Sequence, residues 1–232
     1  MFRPRTIRAI LLSVPLLLSS IPSRADNHYR PHISVGAHGG VTLSEVTFSP
    51  TVKQKFLQGS TMGASFTYAE ERHVGLRGEI NLTQRGWSED FEEHPFSFSR
   101  SLTYVEMPIM THIFFGPRTF KFHFNLGPQI GYMLSESTSA NFDYHDPGKV
   151  PGFPNINRYT EQYTAPIHTR FDYGITAGFG ISAIIRKRHA VNLEGRLYYG
   201  LGNIFPATKR DTFGASRNLT IAITLGYTFR LH

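Results

Sequence analysis

The chain has 232 residues, with 24 Lys and Arg against 17 Asp and Glu, which gives a formal net charge of +7. With 18% charged and 13% aromatic residues it is too apolar for a disordered protein, and its length suits one large domain or two small ones. It contains no cysteine. Disulfides, thiolate metal sites, a cysteine nucleophile and a lipidated N-terminal cysteine are therefore excluded.

The first 25 residues have the pattern of a secretory signal peptide. Three arginines precede an apolar run over residues 9–18, and Ser23 and Ala25 occupy a small-x-small cleavage position. A membrane anchor is the alternative, but this run contains Pro15 and spans only about half of a hydrocarbon core roughly 30 Å thick. Cleavage after Ala25 removes four arginines and no acid, so that 20 cations remain against 17 anions, a net charge of +3. We therefore predict no nucleic-acid partner.

Two later segments alternate with a period of two residues, which predicts long β-strands with one apolar face. In the first, the apolar positions are Phe120, Phe122, Phe124, Leu126, Ile130, Tyr132 and Leu134. In the second, they are Leu219, Ile221, Ile223, Leu225, Tyr227, Phe229 and Leu231. Six further segments fit the same pattern, at about 32–43, 61–70, 73–87, 101–114, 170–185 and 190–202. The sequence thus predicts eight strands.

The connections between these strands alternate in length. Short ones at 70–73, 115–119 and 186–189 alternate with long ones at 44–60, 88–100, 137–169 and 203–217. This alternation is typical of an up-and-down antiparallel transmembrane barrel with short periplasmic turns and long extracellular loops. We predict an all-β, eight-stranded barrel over residues 26–232, closed by pairing of residues 33–41 with 219–231.

A soluble barrel of the lipocalin type also alternates, with its apolar face inside. Volume favours the membrane barrel, because the interior of eight strands could not hold a Phe or Tyr row from every strand. The opposite rows are small or polar, for example Gly63, Ser65 and Thr67. Large aromatics also lie near the strand ends, where lipid-interface girdles are expected. These are Tyr68, Trp87, Tyr104, Phe114, Phe115, Phe120, Tyr132, Phe171, Tyr173, Tyr198, Tyr199, Tyr227 and Phe229.

Several motifs resemble the PorT-like outer-membrane β-barrel family of Gram-negative bacteria. They are Tyr104-x-Glu106-x-Pro108, Gly127-Pro128-x-x-Gly131-Tyr132, Asp172-x-Gly174, Gly178-x-Gly180 and Arg196-x-Tyr198-Tyr199-Gly200-Leu201-x-Asn203-Ile204. The resemblance covers most of residues 26–232 except the long loops. It implies an integral outer-membrane barrel, and it suggests a component of a protein-secretion apparatus as an alternative function.

The last strand resembles the C-terminal signal that the barrel-assembly machinery recognises. Gly226, Phe229 and Leu231 occupy its glycine, aromatic and terminal apolar positions. This resemblance implies the assembly machinery as a partner during biogenesis.

The predicted inward face carries charges of both signs. They are Arg77, Glu79, Arg85, Glu106, His112, His123, Asp172, Glu194, Arg196 and Arg230. Because an isolated buried charge costs several kcal/mol, we predict a structural ion-pair network that fills the lumen, with Arg77, Glu79, Glu106, His123, Asp172, Glu194 and Arg196 as its members. A proton or small-solute path is the alternative.

The loops carry the residues that would serve a catalytic or metal site. Candidates for an outer-membrane hydrolase are His94, His145, His168, Asp143, Asp146 and Ser135–Ser139. No nucleophile elbow and no helical His pair accompany them, so we predict neither an enzyme nor a cofactor nor a protein-bound metal. The acidic segment 88–94 could bind divalent cations that bridge lipopolysaccharide, or be a solvated charge run. The loop at 137–169, with Tyr144, Phe153, Tyr159 and Tyr163, suits either a binding surface or a mobile segment.

Pro108 and Pro128 fall inside predicted strands, where each removes a ladder hydrogen bond. We expect a β-bulge at each, or a register shift that moves Tyr104 and Glu106 to the opposite face. The sequence as a whole predicts a membrane scaffold or surface-binding protein whose partners are outer-membrane lipid, lipopolysaccharide and, in the alternative, secretion-system proteins.

Overall fold

The computed structural model describes residues 31–69, 71–92, 94–154, 158–208 and 211–231, and the predicted signal peptide lies outside these ranges. The strands are β1 (His32–Ser49), β2 (Gln54–Lys55), β3 (Leu57–Ala69), β4 (Val74–Glu89), β5 (Phe98–Phe115), β6 (Phe120–Ala140), β7 (Phe171–Ile185), β8 (His189–Gly200) and β9 (Ala215–Arg230). One 3-10 turn (Pro147–Lys149) and one short helix, α1 (Glu161–Thr164), lie between β6 and β7. Over the described ranges, no helix has the length and apolar character needed to cross a bilayer.

Eight of these strands form a closed antiparallel ring in the order β1-β3-β4-β5-β6-β7-β8-β9. The ring closes where β1 pairs with β9, from Ser34 opposite Arg230 to Ser49 opposite Ala215. The two-residue strand β2 pairs only with the end of β4. The predicted eight-stranded barrel and its closing strand pair are therefore confirmed.

The outside of the barrel is apolar and the inside is polar. Phe66 and Ile223 are 50% and 53% exposed, whereas the inward-facing Asn125 and Thr224 are buried. On β4 the outward apolar residues run from Val74 to Leu82. Nine residues are what a tilted strand needs to cross the hydrocarbon core. An apolar outer surface of this kind is favourable only in lipid, because each Å² of apolar surface exposed to water costs about 25 cal/mol of free energy.

The strands continue well beyond the lipid-facing band on the side of the long connections. On β4 the outward residue after Leu82 is Gln84, yet the strand runs on to Glu89. Residues 44–49 and 57–60, which were predicted as loop, belong to β1 and β3. The remaining long connections are 50–56, 90–97, 141–170 and 201–214, and the short turns are 70–73, 116–119 and 186–188. The two ends of the barrel are thus unlike, as predicted.

The register shift between β5 and β6 lies at Thr103 and Tyr104, not at either proline. Pro108 stays in register opposite Gln129, and Pro128 stays opposite Ile175. The prediction of a bulge at each proline is therefore wrong. The extra residue at the shift is Leu134 of β6, and β5 keeps its alternation. Tyr104 and Glu106 therefore both point into the lumen and are buried, so the alternative of a register shift that moves them to the opposite face is also wrong.

Candidate functional site: the lumen and its extracellular cap

The lower half of the lumen contains four charged side chains, Arg77, Glu79, Glu194 and Arg196, here called the lower layer. Arg196 on β8 donates to Glu79 on β4 through Nη1 (2.6 Å) and Nη2 (3.1 Å), directly across the ring. It also donates to Glu194 Oε1 through Nη2 at 2.7 Å. Arg77 Nε lies 2.7 Å from Glu79 Oε1, and its Nη1 lies 3.9 Å from Glu194 Oε2. Two cations and two anions therefore neutralise each other inside the barrel.

Polar neighbours complete the hydrogen bonding of this layer. Asn81 donates to Glu79 at 3.0 Å and Asn125 donates to Glu194 at 3.1 Å. His123 Nε2 lies 3.4 Å from Glu194 Oε2. Space for the Glu194 side chain comes from Gly178, because a Cβ at that position would collide with Oε1 of Glu194. The inward glycines thus make room for the charges, which extends the sequence argument that small residues line the lumen.

A second group, the upper layer, is centred on Arg85. Its Nη2 lies 2.8 Å from Asp172 Oδ2 and its Nη1 lies 3.0 Å from Glu106 Oε1. The guanidinium also lies 3.8 Å from the ring centroid of Tyr104 and 4.7 Å from that of Tyr198. The Tyr198 hydroxyl donates to Asp172 at 3.0 Å. A guanidinium held between two aromatic rings and two carboxylates has little freedom to move.

A cavity of about 30 Å³ separates the two layers. Among its lining residues are Arg85, Glu106 and Arg196. This volume holds about two water molecules at most. The lumen is therefore filled by side chains rather than open.

Six of the seven residues predicted for the lumen network are buried in the barrel interior, and the side chain of the seventh, Arg196, is 9% exposed. Arg77, Glu79, Glu194 and Arg196 form the lower layer with His123 against it, and Glu106 and Asp172 lie in the upper layer. Of the other charged or titratable candidates, His112 contacts Asn125 at 2.6 Å, and Arg230 lies at the short-turn end of β9. Glu106 on β5 pairs with Arg85 of the neighbouring strand β4.

Four aromatics predicted for the lipid interface point inward instead. Trp87, Tyr104, Phe114 and Tyr198 are all buried. Residue type alone does not determine whether an aromatic side chain faces lipid or the lumen, because a large ring can pack inside the barrel as well as at the lipid interface. Seven of the others, including Phe115, Tyr132 and Tyr173, are outward and exposed, and Phe120 and Phe229 are half-buried.

Above the upper layer, a hydrophobic cluster closes the extracellular end of the barrel. Its members are Val46, Phe48, Val52, Trp87, Phe91, Phe98, Leu102, Tyr104, Met133, Phe153, Tyr163, Ile204, Phe205 and Phe213, here called the aromatic cap. Ring centroids of Phe48 and Trp87 are 5.6 Å apart, and those of Phe98 and Tyr163 are 4.5 Å apart. Each of the four long connections contributes to this cluster, so the loops are packed together over the lumen.

Hydrogen bonds to the Glu89 carboxylate anchor the longest loop to the aromatic cap. Glu89, seven residues beyond the lipid-facing band, accepts hydrogen bonds from Arg158 Nη1 (2.9 Å), the Tyr163 hydroxyl (2.7 Å) and Gln162 Nε2. Burial raises the pKa of Glu89, although these three partners oppose the rise. Burial and the charge of Glu89 also raise the pKa of Tyr163. These hydrogen bonds hold the loop at 141–170 against the cap, and of its five Phe and Tyr residues only Tyr159 is exposed.

The acidic segment 88–94 is engaged in ion pairs. Lys55 Nζ lies 2.9 Å from Asp90 Oδ1, and Lys53 Nζ lies 2.5 Å from Glu92 Oε1. With Glu89 turned into the cap, each of these three carboxylates already has a cationic partner. In the described part of the chain, no group of three or more His, Asp or Glu side chains has the geometry of a metal site.

The candidate catalytic residues are dispersed. His94 stacks on Phe96, His145 contacts Tyr144, and the backbone N–H of His168 donates to the Ile204 carbonyl. Asp143 accepts a hydrogen bond from the backbone N–H of His145 rather than from its imidazole. Ser135–Ser139 lie in β6 and its extension.

The residues of the predicted assembly signal lie at the short-turn end of β9. Gly226 is opposite His38 of β1, and Phe229 is opposite Val35. Leu231 follows the strand and is 49% exposed, and its N–H donates to the Ile33 carbonyl. The signal positions therefore coincide with the closing strand pair.

A sequence profile of the outer membrane protein beta-barrel domain matches residues 11–206. The chain belongs to this family. It is located in the outer membrane, in agreement with the apolar band and the polar lumen. The profile defines the broader family and does not resolve the PorT-like group within it.

Solved structures with the same fold include the outer membrane protein OprG of Pseudomonas aeruginosa. The TM-score is 0.52 at 10% sequence identity, over 87% of this chain and 96% of OprG. Neisserial surface protein A is also similar, with a TM-score of 0.46 and 11% identity over 87% of this chain and 99% of that protein. A search of curated protein sequences found no match. The likeness to OprG shows the barrel fold and no more.

Proposed function

We propose that the protein is a closed, non-conducting outer-membrane barrel that serves as a scaffold for an ordered extracellular binding surface. The observation that supports this proposal is the filling of the barrel at three successive levels. The lower layer spans the ring through Arg196 and Glu79, the upper layer fills the ring around Arg85, and the aromatic cap covers the opening. A solute would have to break ion pairs at two levels and displace packed loops.

The surface above the cap is highly charged. Lys53 and Glu92 are 66% and 59% exposed, and Lys149 pairs with Asp146 at 2.6 Å. The loops are held in place by the aromatic cap beneath them and present charges of both signs at their surface. Such a surface favours a polar partner over an apolar one. The phosphate groups and bridging cations at the surface of lipopolysaccharide have this chemistry, and we propose lipopolysaccharide as the first partner to test.

Conductance of the purified, refolded protein in planar bilayers tests the closed lumen. We expect no steady current at moderate voltage. Two variants are compared with the unmodified protein. Phe205→Ala removes a side chain from the aromatic cap only. The triple variant Phe205→Ala/Arg85→Ala/Arg196→Ala removes one large side chain from the cap, one from the upper layer and one from the lower layer. Stable large channels from the unmodified protein would contradict the proposal. A current that appears only in the triple variant would support it.

A component of a protein-secretion apparatus is the second candidate. The PorT-like motifs favour it, and the basic turn at 186–188 is exposed on the periplasmic side, where inner partners would bind. Crosslinking in native membranes followed by pull-down tests this candidate. A specific periplasmic or inner-membrane partner favours it over a scaffold that acts alone.

We also propose that the loops have no hydrolytic activity. Support comes from the dispersed positions of His94, His145 and His168, each of which contacts an aromatic ring or the backbone. Assays of fatty-acid release from lipopolysaccharide and of casein cleavage test it. Release that depends on any of these three histidines would overturn it.

A further inference from the structure

The positive charge of the protein is concentrated at the short-turn end. Three short turns and the adjoining strand residues carry seven cations and, in sequence, two acids, Glu70 and Glu71. The cations are Arg72, Arg118, Lys121, Arg186, Lys187, Arg188 and Arg230, here called the basic rim. The long-loop segments 44–60, 88–100, 135–170 and 201–217 carry nine cations and ten acids. The net charge of +3 that remains after removal of residues 1–25 therefore comes from the periplasmic end.

The turn at 186–188 has arginine and lysine at two positions where its backbone conformation favours smaller residues. Arg186 and Lys187 have φ values of 50° and 66°, in the left-handed region. Hairpin turns with two such residues favour Asn-Gly, because a longer side chain in this region is strained. A turn that keeps Arg-Lys where Asn-Gly fits better suggests a use for the two charges.

The basic rim lies at the edge of the lipid-facing band. Ile185, which is 51% exposed to lipid, directly precedes Arg186, and Phe115, which is 49% exposed, lies three residues before Arg118. Residues that close to the end of the hydrocarbon core lie at the level of the lipid phosphates. Side chains of Lys and Arg reach such phosphates while their methylene stems stay against apolar surface.

The rim also continues inward at the mouth of the barrel. Lys121 lies close enough to Arg230 and Arg72 for both charges to act on it, and its Nζ is 5.4 Å from the ring centroid of Phe114. Cations that repel one another are brought together here by three strand ends. An anionic group bound at this mouth would lower that repulsion.

We propose that the basic rim binds the phosphate groups of anionic phospholipids in the periplasmic leaflet of the outer membrane. The position of the cations at headgroup level, in a ring around the barrel, favours lipid over an acidic periplasmic protein or polymer, which would require a patch that projects away from the membrane. Each cation near an anionic bilayer contributes roughly a five-fold preference.

Native mass spectrometry of the refolded chain tests this proposal, after incubation with equal amounts of phosphatidylglycerol and phosphatidylcholine of the same acyl chains. We expect phosphatidylglycerol to be retained by about ten-fold or more over phosphatidylcholine. The variant Arg186→Asn/Lys187→Gly/Arg188→Gln should lose at least about five-fold of this preference. Because Asn-Gly suits the turn, this variant should fold at least as well as the unmodified chain, which separates lost binding from misfolding.

The control Lys53→Gln/Lys55→Gln/Lys149→Gln removes the same three charges from the long loops and should keep the full preference. Equal retention of both lipids by the unmodified chain would overturn the proposal. So would an equal loss in the turn variant and the control, because the preference would then follow net charge alone. Binding to isolated peptidoglycan sacculi or to an acidic periplasmic protein, without a lipid preference, would assign the rim to that other class of partner and also overturn it.

Discussion

Removal of the Arg196 guanidinium should strongly destabilise the barrel. In the variant Arg196→Met, the carboxylates of Glu79 and Glu194 lose four close contacts of 2.6–3.1 Å and keep Arg77 as their shared cation. Arg77 is 3.9 Å from Glu194, too far to replace the lost hydrogen bonds. Loss of one partner from a buried pair costs about 3–5 kcal/mol, and we expect the free energy of unfolding to fall by this amount.

The same reasoning predicts that a second substitution compensates for the first. Glu79→Gln alone leaves two arginines near one carboxylate and should cost about 3 kcal/mol. The double variant Glu79→Gln/Arg196→Met removes one charge of each sign and leaves Arg77 with Glu194. Its loss should be smaller than the sum of the single losses by at least about 2 kcal/mol.

Urea unfolding of the refolded protein in lipid vesicles measures these differences. Trp87 is the only tryptophan in the sequence and is buried in the cap, so its fluorescence reports unfolding, and heat-modifiable migration on gels gives an independent measure. A loss below about 1 kcal/mol for Arg196→Met, or additive losses in the double variant, would refute the view that the lower layer is a coupled ion-pair network.

Three further predictions concern the packing and the cap. Gly178→Val should displace the Glu194 carboxylate and lower stability by about 1–3 kcal/mol, whereas Gly78→Val, where a Cβ meets nothing within 4 Å, should change it by less than about 0.5 kcal/mol in the same urea assay. Because burial raises the pKa of Glu89, folding takes up a proton, and stability is greatest below the ordinary value of 4.5 and falls as the pH rises through the raised value. Glu89→Gln should remove that part of the pH dependence of the urea midpoint, and an unchanged profile would contradict it. Phe205→Ala should cost about 3–5 kcal/mol and shift Trp87 emission to the red, since the two rings are 5.9 Å apart; an unshifted spectrum would contradict the packing described for the cap.

The part of the fold that faces lipid was predictable from the sequence. Period-two alternation identified the strands wherever one row is apolar, as in β6 and β9, and an eight-stranded ring follows from their number and connection lengths. The strand extensions beyond the band were not predictable in this way. Beyond Leu43 the outward residues of β1, such as Thr47, are polar because they lie in water, whereas Val46 and Phe48 point inward into the cap. The apolar row therefore changes face, which interrupts the pattern that identifies the strand.

The lumen network was predictable in membership but not in geometry. Charge and alternation placed Glu79, Glu194 and Arg196 inside, but which residues meet across the ring depends on strand tilt and register. Tyr104 and Tyr198 were missed as lumen residues because aromatic type alone indicates either a lipid interface or a packed interior. A consistent use of parity along each strand would have placed Tyr104 with Glu106.

Closure of the ring depends on a contact between strands that are far apart in sequence, β1 and β9. Ser34 and Arg230, which are 196 positions apart, must meet before the ring has any complete layer of backbone hydrogen bonds. Until then two strand edges carry unpaired N–H and C=O groups, which hydrocarbon does not tolerate. Contacts this distant in sequence form slowly, so a partly inserted chain faces a long delay with open edges. A chain that lacks β9 cannot close the observed ring and would keep one edge of β1 and one edge of β8 unpaired.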